Sequence, residues 1–182
     1  MSLIDDLKQK AGKYFLRKKK AVERTVTTRN FELSRSIGLL FKADSESDFI
    51  LVKQYRKHLQ SEYGIKKVEA LGWVNAKEMP DYTVTQRGFT FLNPEQTNWF
   101  FQPEGEDYEA FIKTPFDILI DLSFEEVVTL RFALKQSNAL MKVGRYHDED
   151  YDQYDMTLNL PENTLLDEYL KQTDKYLNLI QP

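Results

Sequence analysis

Short apolar runs alternate with amphipathic segments along most of this chain. Residues 36–43 are mostly apolar, which is typical of a strand buried on both faces of a parallel sheet. Apolar residues in 49–63 recur instead at three- and four-residue steps, which predicts a helix that ends at Gly64. Because a further apolar run follows at 67–74, this half of the chain predicts a strand–helix–strand unit with a right-handed crossover.

The second half of the chain repeats this order of elements. Residues 116–122 form the strongest predicted strand, and Ser123 with Glu126 has the spacing of a capping box for the helix that follows. Short strands are predicted at 139–144 and 156–160, and an amphipathic helix closes the chain.

This alternation predicts an α/β domain of three layers, in which helices cover both faces of a mostly parallel sheet of about five strands. We expect a Rossmann-like or flavodoxin-like strand order. Residues 75–106 interrupt the rhythm with prolines, amides and aromatic residues, and predict an irregular excursion. The predicted organisation is therefore a basic amino-terminal helix with its connector, 1–30, and a single α/β domain, 31–182.

Positive charge is concentrated in residues 1–30, which we call the lead. The lead contains nine lysines and arginines against three acids, whereas the rest of the chain contains sixteen against twenty-six. Its apolar residues recur at helical spacing. They are Leu3, Ile4, Leu7, Ala11, Tyr14, Phe15 and Val22. This pattern predicts a basic amphipathic helix whose apolar stripe packs on the domain or on a second copy, or an arm that contacts an anionic partner. The partner-binding candidates in the lead are Lys13, Arg17 and Lys20.

The composition is that of an ordinary globular protein, with 41% hydrophobic and 30% charged residues, which excludes wholesale disorder. The absence of cysteine excludes a disulfide scaffold, a thiolate metal site and a cysteine nucleophile. No apolar run approaches the ~18 residues of a membrane span, and no secretory signal is evident. We therefore expect a cytoplasmic protein without a transmembrane segment.

Polar residues follow the predicted strands, where open parallel sheets bind their ligands. The ligand-binding candidates at these strand ends are Asp44, Ser45, Ser47, Asp121, Ser123 and Arg145. Helix capping is the competing interpretation for the serines and acids. The carboxylates also suit Mg²⁺ held largely through water, but no metal-ligand spacing is present and we predict no metal site.

Two further segments allow a binding role beside a structural one. Trp99, Phe100 and Phe101 form either a stacking or partner-binding platform or a cluster packed over the sheet edge. Residues 147–155 contain five acids and predict a solvated loop, with a Ca²⁺ site or attraction to a basic partner, including the chain's own lead, as alternatives.

The sequence contains none of the common motifs of catalysis or nucleotide binding. There is no G-x-G-x-x-G, no G-x-x-x-x-G-K-[ST] and no nucleophile elbow. His58 and His147 lie far apart without metal-ligand spacing, so a histidine-centred triad has little support. The sequence therefore identifies neither a catalytic residue nor a cofactor.

Several pieces of the chain resemble an uncharacterised Bacteroidota family of unknown function. They are the basic lead helix, Asn98-Trp99-Phe100, FDILIDLS at 116–123 and MKVG at 141–144. This resemblance implies a small α/β protein without an assigned activity. The order FDILIDLS, helix, KVGRY is also similar to the amino-terminal half of heptosyltransferase-like glycosyltransferases, which need a second Rossmann-like half to bind the nucleotide sugar.

The leading prediction is a soluble, non-enzymatic α/β binding or interaction domain. Its expected partner is a second copy of the chain or another protein, with nucleic acid as a less favoured alternative. The competing prediction is a small enzyme or degenerate glycosyltransferase-like domain that binds a polar ligand at the carboxyl ends of the strands.

Overall fold

The structure is a computed structural model that describes residues 3–146 and 153–181. The described residues form six strands and five α-helices. The strands are β1 Ser36–Lys42, β2 Lys67–Trp73, β3 Phe89–Leu92, β4 Ile118–Asp121, β5 Met141–Arg145 and β6 Met156–Leu158. The helices are α1 Leu3–Lys18, α2 Glu46–Glu62, α3 Glu106–Lys113, α4 Val128–Gln136 and α5 Leu166–Leu179.

All neighbouring strands pair in parallel, in the order β3-β2-β1-β4-β5-β6. This is the strand order described for doubly wound dinucleotide-binding sheets. The chain adds β2 and β3 on one side of β1 and β4 to β6 on the other, so the switch point of the sheet lies between β1 and β4. The predicted three-layer α/β architecture is confirmed, but the sheet has six strands rather than about five. The additional strand arises because the four residues of β3, within the irregular excursion, pair with β2 and extend the sheet edge.

Helices cover both faces of the sheet. Alternate residues of β1 and β4 point to one face, where they pack with α2 and α5. The larger core on this face includes Ile37, Leu39, Ile118, Ile120, Val52, Leu59, Tyr169 and Leu170. The opposite face packs with α3 and α4 through Leu40, Leu71, Leu119, Tyr108, Phe111, Leu130 and Leu134.

The prediction for α2 is confirmed in detail. Its inward face buries Phe49, Val52, Tyr55 and Leu59, as the periodicity predicts. Ser45 caps the helix by accepting a hydrogen bond from the Asp48 amide.

The capping box predicted before α4 is wrong. This helix begins at Val128, and its cap residue Val127 makes no side-chain capping bond. The amide of Ser123 instead donates to Asp121 Oδ1 at 2.9 Å. The Asp121 carboxylate therefore holds the turn after β4, so the helix begins five residues later than Ser123.

The lead helix α1 docks on α4 through a small contact face. A Cβ on Gly12 would lie 2.6 Å from the carbonyl oxygen of Phe100, so this close approach requires glycine. Leu16 is buried against Val128 and Phe132 of α4.

The apolar stripe of α1 packs on the domain only in part, and packing on a second copy, the other expectation, stays a prediction. Leu7 and Tyr14 are 58% and 56% exposed. The helix also ends at Lys18, before Val22. The chain beyond it runs beside α4 and β5, where the Val22 amide donates to the Lys135 carbonyl and the Thr27 amide to the Leu140 carbonyl.

Within residues 3–146 and 153–181, no helix combines the length and apolarity needed to cross a membrane.

Candidate functional site

Asp121 lies at the carboxyl end of β4, beside Leu40 of β1, where the strand order reverses. Its side chain is almost fully buried, and both carboxylate oxygens are engaged within the protein. Oδ2 accepts from Arg131 Nη1 at 3.0 Å and from the Tyr154 hydroxyl at 2.9 Å. Because Oδ1 already holds the Ser123 amide, this carboxylate serves as an internal anchor.

The other strand-end candidates belong to separate networks. Asp44 accepts from Lys42 Nζ at 2.8 Å and from the Asn75 amide at 3.3 Å. The Ser45 hydroxyl, which caps α2, lies 2.9 Å from that of Ser47. The hydroxyl of Ser123 is buried, and within the described part of the chain it makes no hydrogen bond. The structure thus brings Asp44, Ser45 and Ser47 together as a helix-capping turn, apart from the buried network of Asp121.

Arg145 is buried at the end of β5 and is used within the fold. Its Nη2 donates to the carbonyl oxygens of Leu160 at 3.2 Å and Pro161 at 2.9 Å. Its guanidinium also lies over the ring of Phe124, 5.5 Å from the centroid. Arg145 therefore fixes the loop between β6 and α5.

A cleft of about 560 Å³ opens at the carboxyl ends of β1 and β2, beneath α1. We call it the switch-point cleft. Its lining comprises Asp6, Gln9, Lys10, Lys13, Lys42, Trp73, Asn75, Phe101 and residues 125–129. The six strand-end candidates are all among the described residues, and none of them lines this cleft.

Carboxylates neutralise the principal cation of the switch-point cleft. Lys42 forms ion pairs with Asp44 and Glu125. Partial burial acts to lower the pKa of Lys42, but the hydrogen bonds and charges of the two acids outweigh it, and the pKa is raised. Lys13 likewise pairs with Glu126. Lys42 and Lys13 therefore already have anionic partners, whereas Lys10 of the lining forms no ion pair among the described residues.

A second cavity, of about 590 Å³, lies along α4 between the lead and β5. We call it the lead cavity. Among its described lining residues, six are cationic and one is acidic. The lining comprises Lys13, Leu16, Arg17, Lys19, Ala21, Val22, Arg24, Glu126, Lys135, Lys142 and Gln153.

Polar contacts tie the lead to the domain around this cavity. Lys135 Nζ donates to the Leu16 carbonyl at 2.8 Å, at the carboxyl end of α1. Arg24 forms two hydrogen bonds with the carboxylate of Asp155, at 2.7 and 2.8 Å. This contact is one instance of the predicted attraction between the acidic segment 147–155 and the lead. Residues 147–152 of that segment lie outside the described residues.

Lys142 is the unusual member of the lining. Its neighbours in β5, Met141 and Val143, pack in the α2 and α5 core, so the pleat directs Lys142 to the opposite face. The residue is only 3% exposed. In the part of the chain that the structure describes, its ammonium has no hydrogen bond or ion pair. Burial, followed by the charge of Arg24, lowers the pKa of Lys142 to about 8, against the smaller opposing effect of Asp155.

Sequence reasoning missed Lys142, although a signal was present. The residue lies inside the predicted short strand 139–144, flanked by the apolar residues Leu140, Met141 and Val143. A lysine at such a position is rarely fully buried unless it has a partner.

The partner-binding candidates are divided by the structure. Lys13 and Arg17 line the lead cavity, whereas Lys20 lies on the surface and pairs with Glu23 at 2.8 Å. Phe100 stacks on Phe15 with a centroid distance of 4.4 Å. Phe101 meets the edge of Trp73, while Trp99 remains 53% exposed. Two of the three rings thus pack within the protein, where Phe100 holds α1.

Residues 3–146 and 153–181 contain no group of three or more histidines and acids arranged to hold a metal ion.

One known protein family matches almost the whole chain. A family of unknown function, DUF6913, matches residues 8–180. The chain belongs to this family. The predicted resemblance to an uncharacterised α/β family is thereby confirmed, and the match includes every residue of the lead cavity. No curated protein and no solved structure matches the chain.

Proposed function

We propose that this protein is a binding domain for a small phosphate-bearing molecule, held in the lead cavity. The observation that carries the proposal is Lys142, a buried lysine that lines a cavity and whose ammonium forms no ion pair among the described residues. Burying an unpaired charge is costly, so a retained buried ammonium calls for a counter-charge. A bound anion supplies it.

The surrounding charges favour an anion with more than one negative charge. Arg17 and Lys19 have no ion-pair partner in the described ranges, and together with Lys142 they give the cavity a positive field. Arginine and lysine bind phosphate through charge-assisted hydrogen bonds. A phosphate monoester carries about two negative charges near neutral pH and has three strong acceptor oxygens. A phosphate monoester therefore matches the charges of Arg17, Lys19 and Lys142 better than a ligand with a single carboxylate does.

The shape of the site favours a small molecule over a nucleic acid. A volume of about 590 Å³ lies within the range of cavities that hold metabolite-sized ligands, roughly 300–1,000 Å³. Lys142 is reached only inside this concave site, whereas nucleic-acid backbones are bound by exposed basic surfaces.

Isothermal titration calorimetry with inorganic pyrophosphate tests the proposal. The wild type should bind, and Lys142→Met should weaken binding by roughly tenfold or more, because a hydrogen bond to a charged group contributes about 1.5–3 kcal/mol. Lys20→Met is the matched control, since it removes a lysine from the lead without touching the cavity, and it should leave the affinity unchanged.

Two outcomes would overturn this function. One is that pyrophosphate fails to bind the wild type at low salt. The other is that Lys142→Met binds it as well as the wild type. If an oligonucleotide binds instead, with an affinity that Lys20→Met and Lys142→Met reduce equally, the lead is a nucleic-acid-binding surface and the proposal is wrong.

A further inference from the structure

We propose that Lys142 forms a reversible imine with the carbonyl carbon of a small phosphorylated aldehyde or ketone bound in the lead cavity. This inference rests on the proposed function, because the cations of the cavity are what would hold the phosphate while the amine reacts.

Three lysines besides Lys142 line the cavity, and the geometry distinguishes them from it. Lys13 is paired with Glu126, and Lys135 donates to the Leu16 carbonyl. Lys19 directly follows the last residue of α1, where its amide donates to the Phe15 carbonyl, and it is only partly buried. Lys142 combines nearly complete burial, a place in the lining and the absence of an ion pair or hydrogen bond at its ammonium among the described residues.

Charged groups face Lys142 from each element around the cavity. They are Lys13, Arg17, Lys19 and Arg24 from the lead, Glu126 and Lys135 from the α4 region, and Asp155 ahead of β6. Cations predominate in this set, and nearby positive charge favours the neutral amine. With a pKa of about 8, roughly a tenth of Lys142 is neutral at pH 7, against far less than a hundredth for an ordinary lysine. A desolvated lysine beside another cation is a known form of activated amine.

The reaction balances without an oxidant or reductant. The neutral Nζ attacks the carbonyl carbon, a C–N bond forms, and the carbonyl electron pair moves to oxygen. The C–O bond then breaks, and the oxygen leaves as water with the two hydrogens of the amine. Protonation of the imine nitrogen by solvent gives an iminium ion. Because the phosphate is held by the cations, the carbonyl is presented to one amine at high effective concentration.

Borohydride trapping with pyridoxal 5′-phosphate as the probe tests the imine on the wild-type chain. Reduction converts the imine to a stable secondary amine, which intact-mass measurement counts and peptide mapping locates. We expect one adduct per chain, at Lys142, formed at least about tenfold faster than at any other lysine, in line with its larger neutral fraction. Inorganic pyrophosphate should suppress it, and pyridoxal, which lacks the phosphate, should label Lys142 much more slowly.

Lys142→Arg provides a second readout, since it keeps a cation but cannot form an imine. This variant should lose the adduct, whereas Lys20→Met, which lies outside the cavity lining, should keep both the adduct and pyrophosphate binding. Adducts spread evenly over surface lysines, or equal labelling by pyridoxal and its phosphate, would overturn the inference. If pyrophosphate binds in calorimetry while Lys142 stays unlabelled, the imine is refuted and the proposed function stands. If neither binding nor labelling occurs, both are refuted.

Discussion

The switch-point cleft and the lead cavity are nearly equal in volume and share Lys13 and Glu126, yet their lysines behave in opposite ways. Lys42 in the cleft meets two carboxylates, and its pKa is raised. Lys142 in the cavity forms no ion pair with a described carboxylate, and its pKa is lowered to about 8 by burial and by the charge of Arg24, against the smaller effect of Asp155. The two sites thus differ in their buried or half-buried lysine: the charge of Lys42 is balanced by two carboxylates, and that of Lys142 is not balanced by an ion pair among the described residues.

This difference bears on how a ligand site is found in an open parallel sheet. The general rule places ligands at the carboxyl ends of the strands, near the reversal of strand order. Here Asp121 occupies that position and is engaged by Arg131, Tyr154 and Ser123. The unmet charge lies instead on the flank of α4, where the lead covers β5. The fold therefore indicates where a cleft forms, while the charge balance indicates where a ligand is missing.

The largest expected effect comes from the charge network at the switch point. Asp121→Asn should lower the free energy of unfolding by about 4 kcal/mol, because removing one partner of a buried ion pair leaves the other partner poorly compensated. Urea denaturation measures the change. Glu125→Gln, which alters an exposed acid on the same stretch of chain, should cost less than about 1 kcal/mol. Equal losses from the two variants would show that burial of the Asp121 network is unimportant.

Removing the charge of Lys142 in the lead cavity should stabilise the protein rather than destabilise it. Lys142→Met should raise the free energy of unfolding by on the order of 3 kcal/mol at pH 7 without ligand, because the native-state pKa is about 8 against an ordinary 10.5. Below pH 8 the lysine is protonated in both states and the full destabilisation applies. Between about pH 8 and 10.5 the unfolded chain binds the extra proton, so the wild type gains stability as pH rises.

Denaturation of both proteins from pH 7 to 10.5 checks this prediction. The difference in free energy of unfolding between Lys142→Met and the wild type should decrease steadily over that interval. A difference in free energy of unfolding that stays constant with pH, or a variant that is less stable than the wild type at pH 7, would contradict the account of Lys142.

Displacing the lead should have a moderate effect. Gly12→Val places side-chain atoms against the Phe100 carbonyl, so α1 must move and carry Lys13 and Arg17 with it. We expect pyrophosphate affinity to fall roughly tenfold, about 1.4 kcal/mol, with the secondary structure of the sheet domain retained in circular dichroism. Leu7→Val is the matched control on the exposed side of α1 and should bind normally. Normal binding by Gly12→Val would show that the lead contributes nothing to the site.

The smallest effect is expected in the switch-point cleft. Lys42→Met should change pyrophosphate affinity less than about twofold, under 0.5 kcal/mol, because Lys42 is already paired with Asp44 and Glu125. Calorimetry beside Lys142→Met makes the comparison direct. A loss at Lys42 as large as that at Lys142 would move the anion site to the cleft.

The elements of the sheet domain follow from local periodicity, and the sequence therefore predicts them well. The inward residues of α2 and the glycine after it are read correctly because helix spacing and a positive φ at Gly64 are local properties. The docking of α1 is not local. It depends on the approach of Gly12 to a carbonyl 88 positions along the chain, which no count of large apolar residues can reveal.

The candidate site was harder to predict for the same physical reason. Asp121 was recognised as a strand-end acid, but its engagement by Arg131 and Tyr154 requires the packing of α4 and of the segment before β6. Lys142 sits in a correctly predicted strand, yet its burial depends on coverage by α4 and the lead. The local sequence pattern indicates which residues face a core. Packing by segments that are distant in sequence determines which charged side chains are desolvated.

The most direct test of the central claim is a titration of the Lys142 ammonium by NMR, in the wild-type protein with and without inorganic pyrophosphate. In the free protein the midpoint should lie near pH 8. It should move upward when pyrophosphate is added, because a bound anion stabilises the charged form. A midpoint at the ordinary lysine value that pyrophosphate does not change would contradict the account.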